Sequence, residues 1–229
     1  MRIWDINPGY LNRQSLLGEH RELHGMVSII VNGKKGYSRH PETMRWIGYG
    51  WAIKQRHREL SCEMKLRGYI DKTPVYTRSN KGVWPSVYID KPAAQFRILK
   101  EKYMSKEAGR IPLPANEQEL WSHHKYSVLA RDQNKYKIIG RRVASREVSF
   151  DALSLELVEI LRIPPGPGGI RNSLQHMWGY VSSVNNDACN DIESWSLKKL
   201  LTITQENAKK VKQPYINKST ALGDFMVWL

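Results

Sequence analysis

The sequence predicts an all-α protein built as two helical domains. Three observations carry that expectation. Apolar residues keep three- and four-residue spacing where a segment is long enough to judge. Gly, Asn-Gly and Pro signals fall where such segments should stop or start. Few stretches alternate with period two over the length of a strand.

The first helix is expected over residues 11–31. Leu16, His20, Leu23, Val27 and Ile30 are spaced 4, 3, 4 and 3, which is one helical face, and Asn32-Gly33 supplies a C-terminal cap. A basic loop follows, Lys34-Lys35-Gly36-Tyr37-Ser38-Arg39, and Pro41 is placed to open a second helical segment over 42–67. Gly48 and Gly50 interrupt that segment and Gly68 closes it. Its stronger half is 52–67, with Ile53, Leu60 and Met64 as core candidates. Residues 71–92 hold Thr73-Pro74, Ser79-Asn80, Lys81-Gly82, Trp84-Pro85 and Lys91-Pro92, a loop-rich connector. The boundary is expected at its far end, giving domains 1–92 and 93–229. Further helices are expected at 93–105, 117–131, 133–145, 150–162, 169–184 and 194–211.

The 229 residues suffice for a real core, and 41% hydrophobic with 25% charged residues excludes wholesale disorder, collagen and a coiled-coil rod. The net charge of +14 is less ordinary and favours a polyanionic partner. Residues 1–100 hold 18 basic and 8 acidic side chains, so most of the field lies in the N-terminal half. Cys62 and Cys189 are too few for a disulfide framework or a four-thiolate zinc site and read as reduced thiols of a cytoplasmic protein. No apolar run approaches the roughly 20 residues needed to span a bilayer, and Met1-Arg2-Ile3-Trp4-Asp5 does not open a signal peptide, so no membrane role is expected.

Helical spacing puts Ser15, Gly18, Glu19 and Glu22 on adjoining positions of one face, with Arg21 on the flank. Two minimal side chains beside carboxylates let a backbone, a phosphate or a chain terminus come close. The same face equally suits helix packing with solvated glutamates.

The run Gln14-Ser15-Leu16-Leu17-Gly18-Glu19-His20-Arg21-Glu22-Leu23, with Met1-Arg2-Ile3 ahead of it, resembles the pyrimidine-dimer DNA glycosylases of the phage endonuclease V type. The resemblance resumes at Val31-Asn32-Gly33-Lys34 and again at Arg56, Glu59-Leu60, Glu63 and Leu66-Arg67-Gly68-Tyr69, covering residues 1–72. It implies a compact all-α enzyme that is both glycosylase and abasic-site lyase. The implied nucleophile is the α-amine of Met1, which attacks C1′ of the damaged nucleotide, expels the base and forms an imine before β-elimination. Glu22 aligns with the family's essential glutamate, and Arg2 and Arg21 with residues on the DNA backbone. Lys34, Lys35, Arg39 and Arg56 join them as candidate DNA contacts. The chemistry is sound for these groups: an α-amine with a pKa of about 7.7–8.0 is roughly a tenth free base at neutral pH, far more than an ordinary lysine near 10.4. A nearby carboxylate can relay a proton and favour the imine cation. The expected partner is double-stranded, damaged DNA, with the target nucleotide flipped out of the stack. Ser15 stands where the family carries histidine, and Gly25 where it often carries a basic residue. The family's aromatic C-terminal tail has its nearest counterparts in Trp84 and Tyr88.

Beyond residue 101 the blocks His124-Lys125-Tyr126-Ser127-Val128-Leu129-Ala130-Arg131, Ile139-Gly140-Arg141 and Asn172-Ser173-Leu174-Gln175-His176-Met177-Trp178-Gly179-Tyr180 resemble a bacterial helical domain of unknown function. Residues 125–146 contain Lys125, Arg131, Lys135, Lys137, Arg141, Arg142 and Arg146 against Asp132 alone, with Tyr126 and Tyr136 interleaved. That pattern suits a phosphate-tracking surface, for which Lys125, Arg141 and Arg142 are the candidate contacts, and equally a solvated helix pair. In 172–181, Leu174, Met177, Trp178 and Val181 form an apolar stripe opposite Asn172, Gln175, His176 and Gly179. The stretch 164–169 lacks the lysine and serine of a phosphate loop and reads as a turn. His123, His124 and His176 have no metal-ligand spacing, so neither metal nor cofactor is expected. Two other functions share these features: a non-catalytic nucleic-acid-binding protein that keeps the fold, and an RNA- or nucleotide-processing protein acting through the second half.

Overall fold

A computed structural model describes residues 1–77, 80–182, 192–211 and 213–229. Ser79, Cys189 and the last part of the helix expected over 169–184 lie outside the described residues. Helix is the only regular secondary structure among those described, and none of the helices is long and apolar enough to cross a membrane. The chain divides into two compact units, Met1–Gly109 and Arg110–Leu229.

The first unit opens with an extended segment and a short 3-10 turn, Pro8–Tyr10, capped by the Asn7 side chain. Helix α1 then runs Arg13–Asn32. The Asn12 side chain accepts from the Ser15 amide at its start (2.8 Å), and Gly33 ends it at φ 60°, a conformation glycine adopts without strain. Helix α2, Pro41–Trp46, opens on its proline as expected. Gly48, at φ 86°, separates it from α3, Gly50–Leu66. Ile3, Ile6, Tyr10, Leu16, Leu23, Met26, Trp46, Ile53 and Leu60 make the core, and Met64 is also buried.

Helix α4, Pro92–Lys102, belongs to this first unit, which corrects the boundary expected at residue 92. Gln95 on α4 accepts from the amides of Asp5 (2.8 Å) and Ile6 (3.3 Å) and donates to the Asp5 carboxylate and the Asp90 carbonyl. Phe96 meets Tyr10 edge-on at 4.9 Å, and the Tyr103 hydroxyl accepts from the Asn12 amide. The Pro- and Gly-rich stretch before α4 is therefore a set of loops inside the unit. Trp84 packs edge-on with Trp46 and Trp51 there, and Tyr88 faces Arg45, so neither aromatic forms a projecting tail.

The second unit is arranged around α5, Glu117–Leu129, which packs against α6 (Gln133–Ala144), α7 (Phe150–Leu161), α8 (Pro167–Trp178) and α11 (Ala221–Trp228). Side chains of Asn116, Asp132 and Ser149 cap α5, α6 and α7. Helix α9, Leu197–Lys210, packs on α8 and α11, with the short α10, Pro214–Asn217, beside it. Gly169 near the start of α8 has a strict steric role. A Cβ there would lie 1.9 Å from the Ala130 carbonyl oxygen, so only glycine lets the helix approach this closely. Arg131 leaves α5 to pair with Asp224 of α11 through two hydrogen bonds of 2.6 and 2.9 Å, almost wholly buried.

Candidate active site and metal-competent cluster

A cleft of about 220 Å³ opens in the first unit on the face singled out in α1. Ser15, Gly18, Glu19 and Glu22 line it from the helix, Arg2 and Trp4 from the extended N-terminal segment, and Ile98 and Lys102 from α4. A Cβ on Gly18 would meet nothing within 4 Å, so its lack of a side chain leaves space in the cleft and serves no helix contact.

The two carboxylates differ sharply. Glu22 is exposed and accepts a 2.6 Å hydrogen bond from the Arg2 backbone amide. The Met1 nitrogen lies within about 3.7 Å of that amide nitrogen by bond lengths alone, and therefore no more than about 6.3 Å from the Glu22 carboxylate oxygen. Glu19 is buried and accepts from the Trp4 amide (3.1 Å) and from Arg56 through both oxygens (2.8 and 2.9 Å). Burial pushes the Glu19 carboxyl up to about 7 against the lowering by Arg56, whose guanidinium Glu19 and Glu59 hold firmly in its charged form.

Arg56 is thus no DNA contact, contrary to the expectation from sequence. It is 2% exposed and spends its donors on Glu19, Glu59 and the Ile6 carbonyl. Arg2 is half-exposed, paired with Asp90 at 2.6 Å and stacked over Trp4. Arg21, Lys35 and Arg39 lie on the surface, as does Lys34, which donates to Ser28. In the second unit, Lys125 sits between the rings of Tyr126 and Tyr215 and burial lowers its pKa. Arg142 pairs with Glu156, whereas Lys135, Lys137, Arg141 and Arg146 stay exposed. A groove of about 540 Å³ there combines Trp121 and Tyr136 with Lys137 and Arg141. The apolar stripe of α8 is buried and His176 is exposed, as expected. His123 and His124 are core residues, and burial pushes their pKa values down to about 4 and about 3.

One grouping was not foreseen. His20 and His24 of α1, His57 of α3 and Asp71 bring four candidate ligand atoms within 4.8 Å of one another. Burial pushes His57 down to about 4 and His24 below its ordinary value. The visible signal was the His-x-x-x-His spacing at 20 and 24. His57 and Asp71 lie too far along the chain for spacing to reveal them.

No curated protein and no solved structure matches the chain. Two protein families do: residues 125–225 match a protein of unknown function (DUF1722), and residues 1–77, which supply α1, α3 and the N-terminal arm of the cleft, match the pyrimidine dimer DNA glycosylase family.

Proposed function

We propose that this protein is a DNA-repair glycosylase with abasic-site lyase activity, acting on damaged double-stranded DNA. The observation that carries the reading is the 2.6 Å contact of Glu22 with the amide next to the Met1 amine, at the mouth of a cleft with open space at Gly18. The unprotonated Met1 amine attacks C1′ of the flipped nucleotide. The C1′–N bond breaks with its electron pair, and the base leaves as it takes up a proton. The attacking nitrogen then gives up a proton, and the pair so freed forms the imine as the C1′–O bond of the sugar ring breaks and the ring oxygen takes a proton. Glu22 relays protons between amine, water and sugar, and its charge favours the cationic imine. Loss of a C2′ proton expels the 3′ phosphate, and water releases the aldehyde and regenerates the amine. Arg21, Lys34, Lys35 and Arg39, all exposed, contact phosphates in this reading, joined by Arg2 if it leaves Asp90.

The test compares chain with a free Met1 amine against chain carrying an N-terminal extension, on abasic and on dimer-containing duplexes, with borohydride trapping as the readout. The reading expects a trapped adduct on abasic DNA for the free amine alone. Trapping on dimer DNA tests the lesion, because Ser15 and Gly25 depart from the family pattern. Equal trapping by both forms would move the nucleophile to a lysine, and none by either would favour a binding protein without catalysis.

A further inference from the structure

We propose that His20, His24, His57 and Asp71 form a binding site for one divalent transition-metal ion, of which zinc is the natural occupant by donor type. The contacts form a closed ring. His20 Nε2 lies 3.4 Å from His24 Nε2, which lies 3.2 Å from His57 Nε2; His57 reaches Asp71 Oδ2 at 3.2 Å, and Asp71 Oδ1 returns to His20 at 3.3 Å. A tetrahedral zinc shell with bonds of about 2.0–2.1 Å spaces neighbouring ligand atoms about 3.3–3.4 Å apart. The ring passes through both Asp71 oxygens and its contacts of 3.2–3.4 Å are close to that spacing, and one ligand atom from each of the four residues lies within 4.8 Å of the others. Three imidazole nitrogens and one carboxylate oxygen are donors suited to zinc and its neighbours and not to magnesium or calcium.

Proton accounting favours a cation over a hydrogen-bonded network. Each Nε2 has one in-plane lobe, holding either a proton or a lone pair, and an ionised carboxylate only accepts. In the best distribution His20 and His57 donate and His24 accepts, so two protons must serve four contacts. A cation at the centre draws a lone pair from every member. The carboxylate is also held from behind as outer partners of a metal ligand hold it: the Thr73 amide donates to Oδ1 (2.9 Å) and the Ser61 hydroxyl to Oδ2 (2.8 Å).

The site is separate from the cleft. At 100° per residue, position 20 is about 200° around α1 from positions 18 and 22, so the histidines leave the side opposite Gly18 and Glu22. An ion there would clamp α1 to α3 and to the chain just after it, and would fix the rotation of the helix that presents Glu22.

The experiment uses the full chain without a histidine tag, stripped of metal, with Zn²⁺ or Co²⁺ alone as probe. The proposal expects one Zn²⁺ per chain with micromolar or tighter affinity, a rise in Tm on adding zinc, and visible ligand-field bands from tetrahedral Co²⁺. His57→Ala and Asp71→Asn should each weaken binding by about 100-fold or more. Ser61→Ala keeps all four ligands and should cost about 10-fold, the scale of an outer-partner loss, so the proposal stays testable if a ligand variant does not fold. Absence of stoichiometric binding by wild-type chain would overturn it, as would undiminished binding by folded His57→Ala. Borohydride trapping plays no part in these readouts, so they stand or fall separately from the imine chemistry.

Discussion

At the scale of single residues, the two glutamates of α1 show how neighbours one turn apart take different work. Glu22 meets solvent and the N-terminal amide, so replacing it with Gln should leave the fold and DNA affinity intact. Strand cleavage should fall by about 10²-fold or more, the scale of a lost general acid–base. A gel assay of cleavage beside a binding titration checks this, and unchanged cleavage would remove Glu22 from the mechanism. Arg56 gives the opposite expectation. Arg56→Ala leaves the Glu19 carboxylate buried and unpaired, a change that costs about 3–5 kcal/mol. Denaturant unfolding should show that loss, whereas a surface phosphate contact would lose affinity with its stability intact.

At the scale of elements, two glycines should respond with opposite signs. Gly18 lies inside α1 beside open space, so Gly18→Ala should stabilise the fold by about 0.5–1 kcal/mol through helix propensity. It should also weaken trapping on abasic DNA if the substrate enters there. Gly169→Ala meets the Ala130 carbonyl and should destabilise by about 1–3 kcal/mol or more. Thermal melts of both variants decide the pair. The same elements show what the sequence made legible. Periodicity and caps located α1 and α5 to α7 closely because local signals place local structure. The pieces α10 and α11 passed unnoticed; one is a single turn, and the other is apolar nearly all round, so neither shows a helical stripe. The face of Ser15, Gly18, Glu19 and Glu22 was legible as a row. That Glu19 turns inward to Arg56 was not, because that partner comes from another helix. The histidine cluster was hidden for the same reason, and the loop-rich run before α4 resembled a linker because the contacts of Gln95 and Tyr103 with Asp5, Ile6 and Asn12, which hold α4 in the unit, act over long range.

At the scale of the whole molecule, buried neutral histidines make stability depend on pH in a stated direction. In the second unit the folded pKa values of His123 and His124, about 4 and about 3, lie below the unfolded value near 6.5. A depressed folded pKa contributes stability that is fully present above the unfolded pKa and is lost as pH falls through the folded one. The second unit should therefore lose stability from about pH 6.5 down toward 3. Unfolding midpoints measured across that range should flatten in His124→Gln if the variant folds, and an unchanged slope would argue against the burial of this imidazole.

The anchoring of the N-terminal segment has a kinetic side. Glu19 holds the Trp4 amide, and Arg56 the Ile6 carbonyl, so the first buried pin sits three residues from Met1. Chain termini ordinarily fray and sweep a wide volume. Three residues reach about 10 Å, and one amine confined to a half-sphere of that radius is at an effective concentration on the order of 1 M. The hydrogen bond from Arg2 to Glu22 narrows that volume further. On the imine mechanism proposed above, the Met1 amine would act as a tethered reagent, with much of the encounter entropy already spent when the chain folds, before DNA arrives.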